Sequence, residues 1–242
     1  MGVLNVTPDS FSDGGQLLSK GELLRDRLLE RASQMVTDGA AILDIGGEST
    51  RPGAAPVSLQ EELDRVMGAV QLIAPRLDVI LSIDTSMPEV MREAAQAGAG
   101  LLNDVRAFSR EGALAAAVAS QLPVSLMHMS DEPDRMQEET DYADVVNDVK
   151  AFLEHRIAAC QEAGIAEDQM MIDPGFGFGK TVAQNYEMLR RLEEFASVGL
   201  PVLVGVSRKS MIGAITGRPA SERVVPSAVL AVMAAARGAS VI

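Results

Sequence analysis

Ser58-Leu59-Gln60-Glu61-Glu62-Leu63-Asp64-Arg65-Val66-Met67-Gly68-Ala69-Val70-Gln71-Leu72-Ile73, followed after a short break by Val79-Ile80-Leu81-Ser82-Ile83-Asp84, holds one full copy of the pattern on which this chain is built. Ser58 and Glu61 stand at capping-box spacing, and Leu63, Val66, Val70 and Ile73 recur at the three-to-four interval of a helix with one apolar face. Residues 79–83 form a short apolar run without strict alternation, which indicates a strand buried on both faces, as in a parallel sheet. An acid, Asp84, closes it.

The same alternation runs from end to end. Residues 2–6, 41–45, 79–83, 100–102, 124–127, 170–172, 202–206 and 240–242 read as strands, with helical stretches between them. Ser19-Lys20-Gly21-Glu22 reads as a second helix start, ahead of Leu24, Leu28 and Met35, and residues 145–164 read as a long helix. Eight βα units predict a TIM (β/α)8 barrel, and 242 residues fit one such barrel as a single domain spanning residues 1–242. The eighth strand is cut short at Ile242, leaving an unpaired edge and no closing helix, so the natural protein is expected to continue beyond it with a C-terminal end missing here.

Lys plus Arg number 21 against 34 Asp plus Glu, a net charge of −13. That field repels nucleic acid and anionic membrane, so neither is expected as a partner, and an anionic ligand must be met by a local group of cations. The single cysteine, Cys160, lies near His155 in the predicted long helix. It reads as a packed thiol beside a surface imidazole, because no second Cys or His stands at metal-ligand spacing, and a reducing cytoplasm is the expected location. Residues 1–5 lead directly into turn chemistry at Thr7-Pro8-Asp9, so no signal peptide is expected. No apolar run reaches the roughly 18 residues of a membrane helix, and Val6 stands where N-myristoylation requires Ser or Thr.

Active sites of (β/α)8 barrels lie at the C-terminal ends of the strands. Here those ends carry Asn5; Glu48 with Thr50 and Arg51; Asp84; Asn103 with Asp104; His128; Asp173; and Ser207 with Arg208 and Lys209. One such residue has an ordinary explanation, an Asp after a strand being commonly a helix N-cap. Polar closure of strand after strand does not. Asp84, Asn103 and Asp173 suit a flat heterocycle edged with N–H groups, such as a 2-aminopyrimidinone, with Lys209 donating to ring acceptors on the opposite edge. Arg51, Arg208 and Lys209 could hold a phosphate or diphosphate. The run from Asp173 to Thr181 is not a P-loop, since Pro174 stands where the first glycine is required. Its alternating glycines read as a close-approach loop that places Phe178 over a ligand. Residues 7–15 and 47–58, rich in Gly, Pro and Ser at strand ends, are expected to be mobile and to close over ligand.

Residues 2–15 (GVLNVTPDSFSDGG) and 44–53 (DIGGESTRPG), then Ser82-Ile83-Asp84-Thr85, Leu102-Asn103-Asp104-Val105, Leu126-Met127-His128-Met129, residues 172–180 (IDPGFGFGK) and Val206-Ser207-Arg208-Lys209-Ser210, resemble the blocks of the dihydropteroate synthase family in their order. The resemblance covers essentially the whole length. It implies that Thr50, Asp84, Asn103, Met127, Asp173 and Lys209 bind a pterin, and that Asn5 helps hold a Mg²⁺ ion on a diphosphate. It implies a p-aminobenzoate site, where sulfonamides compete, shaped by Phe11, Arg51, Pro52, Phe178 and Ser207. Asn5, Arg51 and Lys209 would carry catalysis, and a homodimer is implied. The family carries an Arg-x-His at the end of its eighth strand, a place this chain does not reach.

The activity so implied is condensation of a pterin-methyl diphosphate with p-aminobenzoate, the diphosphate leaving before the amine attacks. Two other readings stay open at this point: a pterin-binding methyltransferase domain, against which the Ser49–Pro52 and Ser207–Lys209 blocks speak, and a catalytically silent pterin-binding module.

Overall fold

The computed structural model describes residues 1–7, 18–19, 22–49, 57–130 and 140–242. Eight strands form one sheet of parallel strands with helices alternating between them, the topology of a (β/α)8 barrel. In chain order the sheet strands are β1 (Gly2–Asn5), β4 (Ile42–Gly46), β5 (Ile80–Asp84), β6 (Leu101–Asp104), β7 (Val124–Met127), β8 (Met170–Asp173), β9 (Val202–Leu203) and β10 (Ala239–Val241), and neighbours in sequence are neighbours in the sheet. The short strands β2 (Leu18–Ser19) and β3 (Glu22–Leu23) pair antiparallel outside it.

Two compact units make up the chain, one of residues 1–124 with 163–165, the other of residues 125–162 with 166–242. In the first, α1 (Arg25–Thr37), α2 (Leu59–Ile73), α3 (Pro88–Gln96) and α4 (Ala113–Ser120) follow the strands. The reading of Ser58 holds at atomic detail: its Oγ accepts from the Glu61 N–H at 3.3 Å, and its own N–H donates to Glu61 Oε2 at 3.1 Å. Val66, Val70 and Ile73 of α2 are fully buried. Ile45 of β4 is also without exposed surface, between neighbours that register through Leu4 and Ile83. Ile45→Ala is therefore expected to lower stability by about 2–5 kcal/mol, the transfer and cavity cost of a buried aliphatic side chain. A urea titration reads it, and a loss below about 1 kcal/mol would mean that the site collapses around the gap.

The second unit holds α5 (Val145–Ala163), α6 (Val182–Arg190), α7 (Leu192–Ala196), α8 (Ser210–Thr216) and α9 (Val224–Ala235). Cys160 is buried, its thiol pushed up by burial, and His155 is exposed, as expected. No helix among the described residues is long and apolar enough to cross a membrane.

Two expectations need correction. The helix expected to start from Ser19 and Glu22 starts later: the backbone of Leu18 and Ser19 pairs with that of Leu23 and Glu22, and α1 begins only at Arg25, behind Leu24, whose side chain makes no cap. The strand expected over 202–206 has only Val202–Leu203 as regular strand, although the Val204 N–H still donates to the Val241 carbonyl at 2.9 Å. The loop expectations for residues 7–15 and 47–58 fall largely outside the described residues.

Candidate active site

In the first unit the register sets Asn5 opposite Gly46, Gly46 opposite Asp84, and Asp84 opposite Asn103. Residues in register on parallel strands project to one side of the sheet, so Asn5, Asp84 and Asn103 form a row at the strand ends. Gly46 is the gap in that row. A Cβ there would lie 3.3 Å from Asn5 Oδ1 and 3.5 Å from Asp84 Oδ2, which shows both oxygens leaning over it.

A second polar layer supports the row from two residues deeper. Ser82 Oγ donates to Asp44 Oδ1 at 2.6 Å, and Asn103 Nδ2 approaches the two Asp44 carboxylate oxygens at 3.5 and 3.4 Å. Asp44 thereby turns the amide nitrogen of Asn103 toward itself and its carbonyl oxygen away.

Carboxylates dominate the surroundings. The Asp84 carboxyl is pushed well above the usual range by burial, and further by Asp44, Asp104, Glu62 and Glu48. Asp104 is raised by burial but well bonded: it accepts from Ser86 Oγ, from the Arg106 N–H at 2.9 Å and from the Phe108 N–H at 2.7 Å. That makes Asp104 a fastener of its own loop. Glu62, buried on α2, accepts from Thr85 Oγ1 at 2.5 Å, and its Oε2 has no hydrogen-bond partner among the described residues. Arg106 reaches Glu48 at 3.4 Å and Ser86 Oγ at 3.0 Å. A carboxyl so placed gains most from a ligand that brings its own N–H donors.

In the second unit Asp173 closes β8, 7% exposed, its Oδ1 accepting from the Gly175 N–H at 2.8 Å. Burial raises its carboxyl, and Lys209 pulls it back down. Lys209 is half-buried, its ammonium lowered to about 8 by burial against the pull of Asp173. It donates to the Phe176 carbonyl and lies 4.7 Å from the centre of the Phe178 ring, a cation–π contact. The glycine-rich loop has the expected character: Gly175, Gly177 and Gly179 take φ of 70°, 82° and 64°, a region other residues adopt only with strain. Phe176 points into the core and Phe178 is half-buried beside Lys209.

The turn that presents Lys209 is held from behind. Arg208 sits at φ 55° and donates its N–H to Ser227 Oγ at 2.8 Å, while Arg223 Nη1 reaches the Arg208 and Lys209 carbonyls at 3.0 and 3.3 Å. A Cβ on Gly213 would strike the Arg223 guanidinium. Left-handed backbone at a non-glycine residue persists only where its surroundings enforce it, and functional sites are where it collects.

The first unit thus brings Asn5, Asp84 and Asn103 together, and the second brings Asp173, Phe178 and Lys209 together. Met127 is buried at 4% exposure one residue before His128, and Ser207 is exposed. Phe11, Thr50, Arg51 and Pro52 lie outside the described residues. The supporting roles of Asp44, Ser82, Lys180 and Arg223 escaped the sequence reading. For Asp44 and Ser82 a signal existed, since both are polar residues inside otherwise apolar strand runs.

The model of the family described as pterin binding enzyme matches residues 1–242. The chain is 51% identical over 242 residues to the dihydropteroate synthase of Escherichia coli (strain K12), covering 100% of this chain and 84% of that protein. Among solved structures it superposes with a TM-score of 0.95 on the Yersinia pestis dihydropteroate synthase in a sulfonamide drug complex, at 51% identity and with 100% of this chain and 86% of that one covered. With the Xanthomonas albilineans dihydropteroate synthase in complex with 7,8-dihydropteroate the TM-score is 0.87 at 42% identity, covering 99% of this chain and 84% of that one.

Proposed function

Because this chain belongs to the pterin-binding enzymes and, among them, to the dihydropteroate synthases, we propose that its strand-end residues join 6-hydroxymethyl-7,8-dihydropterin diphosphate to p-aminobenzoate, giving 7,8-dihydropteroate and diphosphate. Methyl transfer to a corrinoid drops out with that family assignment. The observation that carries the reading is the Asp84–Asn103 pair, in register and set among other acids, which offers acceptors to the N–H edge of a pterin.

In the first unit Asp84 and Asn103 accept from the ring, and the family resemblance adds Thr50 to the pterin-binding residues. In the second, Asp173 accepts likewise, Lys209 donates to ring acceptors, and Met127 lines the pocket. Phe11, Arg51, Pro52, Phe178 and Ser207 hold p-aminobenzoate, Phe178 with its ring already fixed by the Lys209 ammonium. Arg51 and Lys209 also meet the diphosphate. Asn5 fits a Mg²⁺ ion: its Oδ1 is a hard neutral oxygen at the strand end, and such an ion takes one or two protein oxygens together with substrate phosphates and water. When bound, the ion would neutralise charge on the leaving diphosphate.

In the reaction the bond between the pterin methylene carbon and a diphosphate oxygen breaks, and its electron pair leaves with the diphosphate. The amine lone pair then forms the C–N bond and the nitrogen loses a proton to water or to the departing anion. A protein base is not needed for a neutral arylamine. His128 would serve poorly as one, since burial lowers its imidazole to about 3 and its Nδ1 is engaged by Lys180 at 3.0 Å. A cytoplasmic homodimer completes the proposal, supported by the buried Cys160 thiol and by the exposed apolar Val225, Val229 and Val232 on α9.

Formation of 7,8-dihydropteroate only when both substrates are present is the expected result, and its absence from the full-length gene product would favour the silent-module reading. Departure of diphosphate before attack predicts that the bridging oxygen scrambles within the pterin diphosphate when enzyme and Mg²⁺ are present and p-aminobenzoate is absent. No scrambling, with rates that follow amine nucleophilicity across substituted benzoates, would establish concerted displacement instead.

A further inference from the structure

We infer that Lys180 is a positioning residue for the p-aminobenzoate side of this reaction, fastening the loop of residues 175–179 so that Phe178 stays in place. The inference rests on the function proposed above.

Lys180 is 4% exposed. Its Nζ meets three partners within 3.0 Å, the Phe178 carbonyl at 2.8 Å, the Gly175 carbonyl at 2.9 Å and His128 Nδ1 at 3.0 Å, with the His128 carbonyl farther off at 3.5 Å. An ammonium has three hydrogens and no acceptor, so this tripod uses the whole group. Burial lowers the ammonium to about 7, against the pull of Asp173 and with a further push from Lys209. Burying a cation here is costly, and a loop needed only as a connection could leave its carbonyls to water.

The loop turns its carbonyls to two lysines. Gly175 and Phe178 serve Lys180, and the Phe176 carbonyl between them serves Lys209. Positive φ at three glycines permits this, and a Cβ on Gly175 would run into the His128 carbonyl oxygen. Asn185 closes the other side, accepting from the Gly177 N–H at 2.7 Å and donating to the Lys180 carbonyl at 3.0 Å. The Thr181–Gln184 capping box then starts α6 immediately after Lys180, fixing where that side chain begins. His128 is itself steadied edge-on against Phe152, ring centres 4.8 Å apart. With the tripod removed, Phe178 loses its anchor while Asp173, on the strand, and Lys209, on the turn held by Arg223, keep their places.

The test compares wild type with Lys180→Met in the full-length gene product. The KM for p-aminobenzoate is expected to rise about tenfold, the equivalent of one lost charge-assisted bond, while that for the pterin diphosphate changes by less than about threefold. Hydrogen exchange at the amides of residues 177 and 178 should quicken. Equal rises in both KM values, or a p-aminobenzoate KM within about twofold of wild type, would overturn the inference. Should Lys180→Met fail to fold, His128→Leu decides: it removes one of three acceptors and should raise the p-aminobenzoate KM about threefold or more, and an unchanged value would overturn the inference equally. If the wild type forms no dihydropteroate, the function reading itself fails, which is a different result from an unchanged variant beside an active parent.

Discussion

Asp84→Asn is expected to melt at a higher temperature than the parent chain and to bind pterin about 100-fold more weakly. The loss follows from charge-assisted bonds: a hydrogen bond to a charged group contributes about 1.5–3 kcal/mol, and an amide oxygen replaces only part of what a carboxylate accepts. The gain follows from the neighbours. Burial and the charges of Asp44, Asp104, Glu62 and Glu48 all raise the Asp84 carboxyl, so its ionised form is destabilised in the folded chain. Folded, Asp84 holds its proton to a higher pH than it does unfolded. Between those two values the folded state binds more protons, so stability falls as pH rises through that interval. The asparagine variant lacks this slope, and its advantage in melting temperature should widen from pH 5 to pH 8. Calorimetry of melting at both pH values, with pterin titrations alongside, checks the pair of claims. A variant less stable than its parent at pH 8, or one with undiminished affinity, would remove Asp84 from the role given to it.

Much of this site was legible because its cues are local. A capping box, an apolar run and a polar residue closing it can each be read within a few positions, and the rule that barrel chemistry collects at strand ends turned that reading into Asp84, Asn103, Asp173 and Lys209. The same locality misled at residues 19–22, where Ser and Glu have capping spacing but the backbone of Leu18 and Ser19 is committed to pairing with that of Leu23 and Glu22. What stayed hidden depends on distant partners. Lys180 matters through His128, 52 residues earlier in the chain, and through carbonyls that positive φ turns inward. Arg223 matters through the Arg208 and Lys209 carbonyls and the bare Cα of Gly213. No periodicity announces such contacts.

Asp173→Asn should lower pterin affinity as far as Asp84→Asn does, about 100-fold, and change stability with a different pH dependence. Asp84 stands among acids, whereas Asp173 stands among cations. It is the group that holds up the ammoniums of Lys180 and Lys209, which burial otherwise lowers to about 7 and about 8. Without its charge both lysines fall further from their unfolded value of 10.5. A lysine whose folded pKa is depressed binds fewer protons folded than unfolded across the interval, so stability there rises with pH, and folding below that interval carries the full cost of the buried cation. The unfolded chains titrate alike, so the two proteins differ only where their folded lysines do: the stability of the variant relative to its parent should rise with pH up to about 8, where Lys209 of the parent also loses its proton, and stay level from there to pH 10. Denaturant titrations at pH 6, 8 and 10 read the trend. A difference independent of pH would show that the Asp173 charge holds up neither lysine and that the residue contributes through the Gly175 N–H alone.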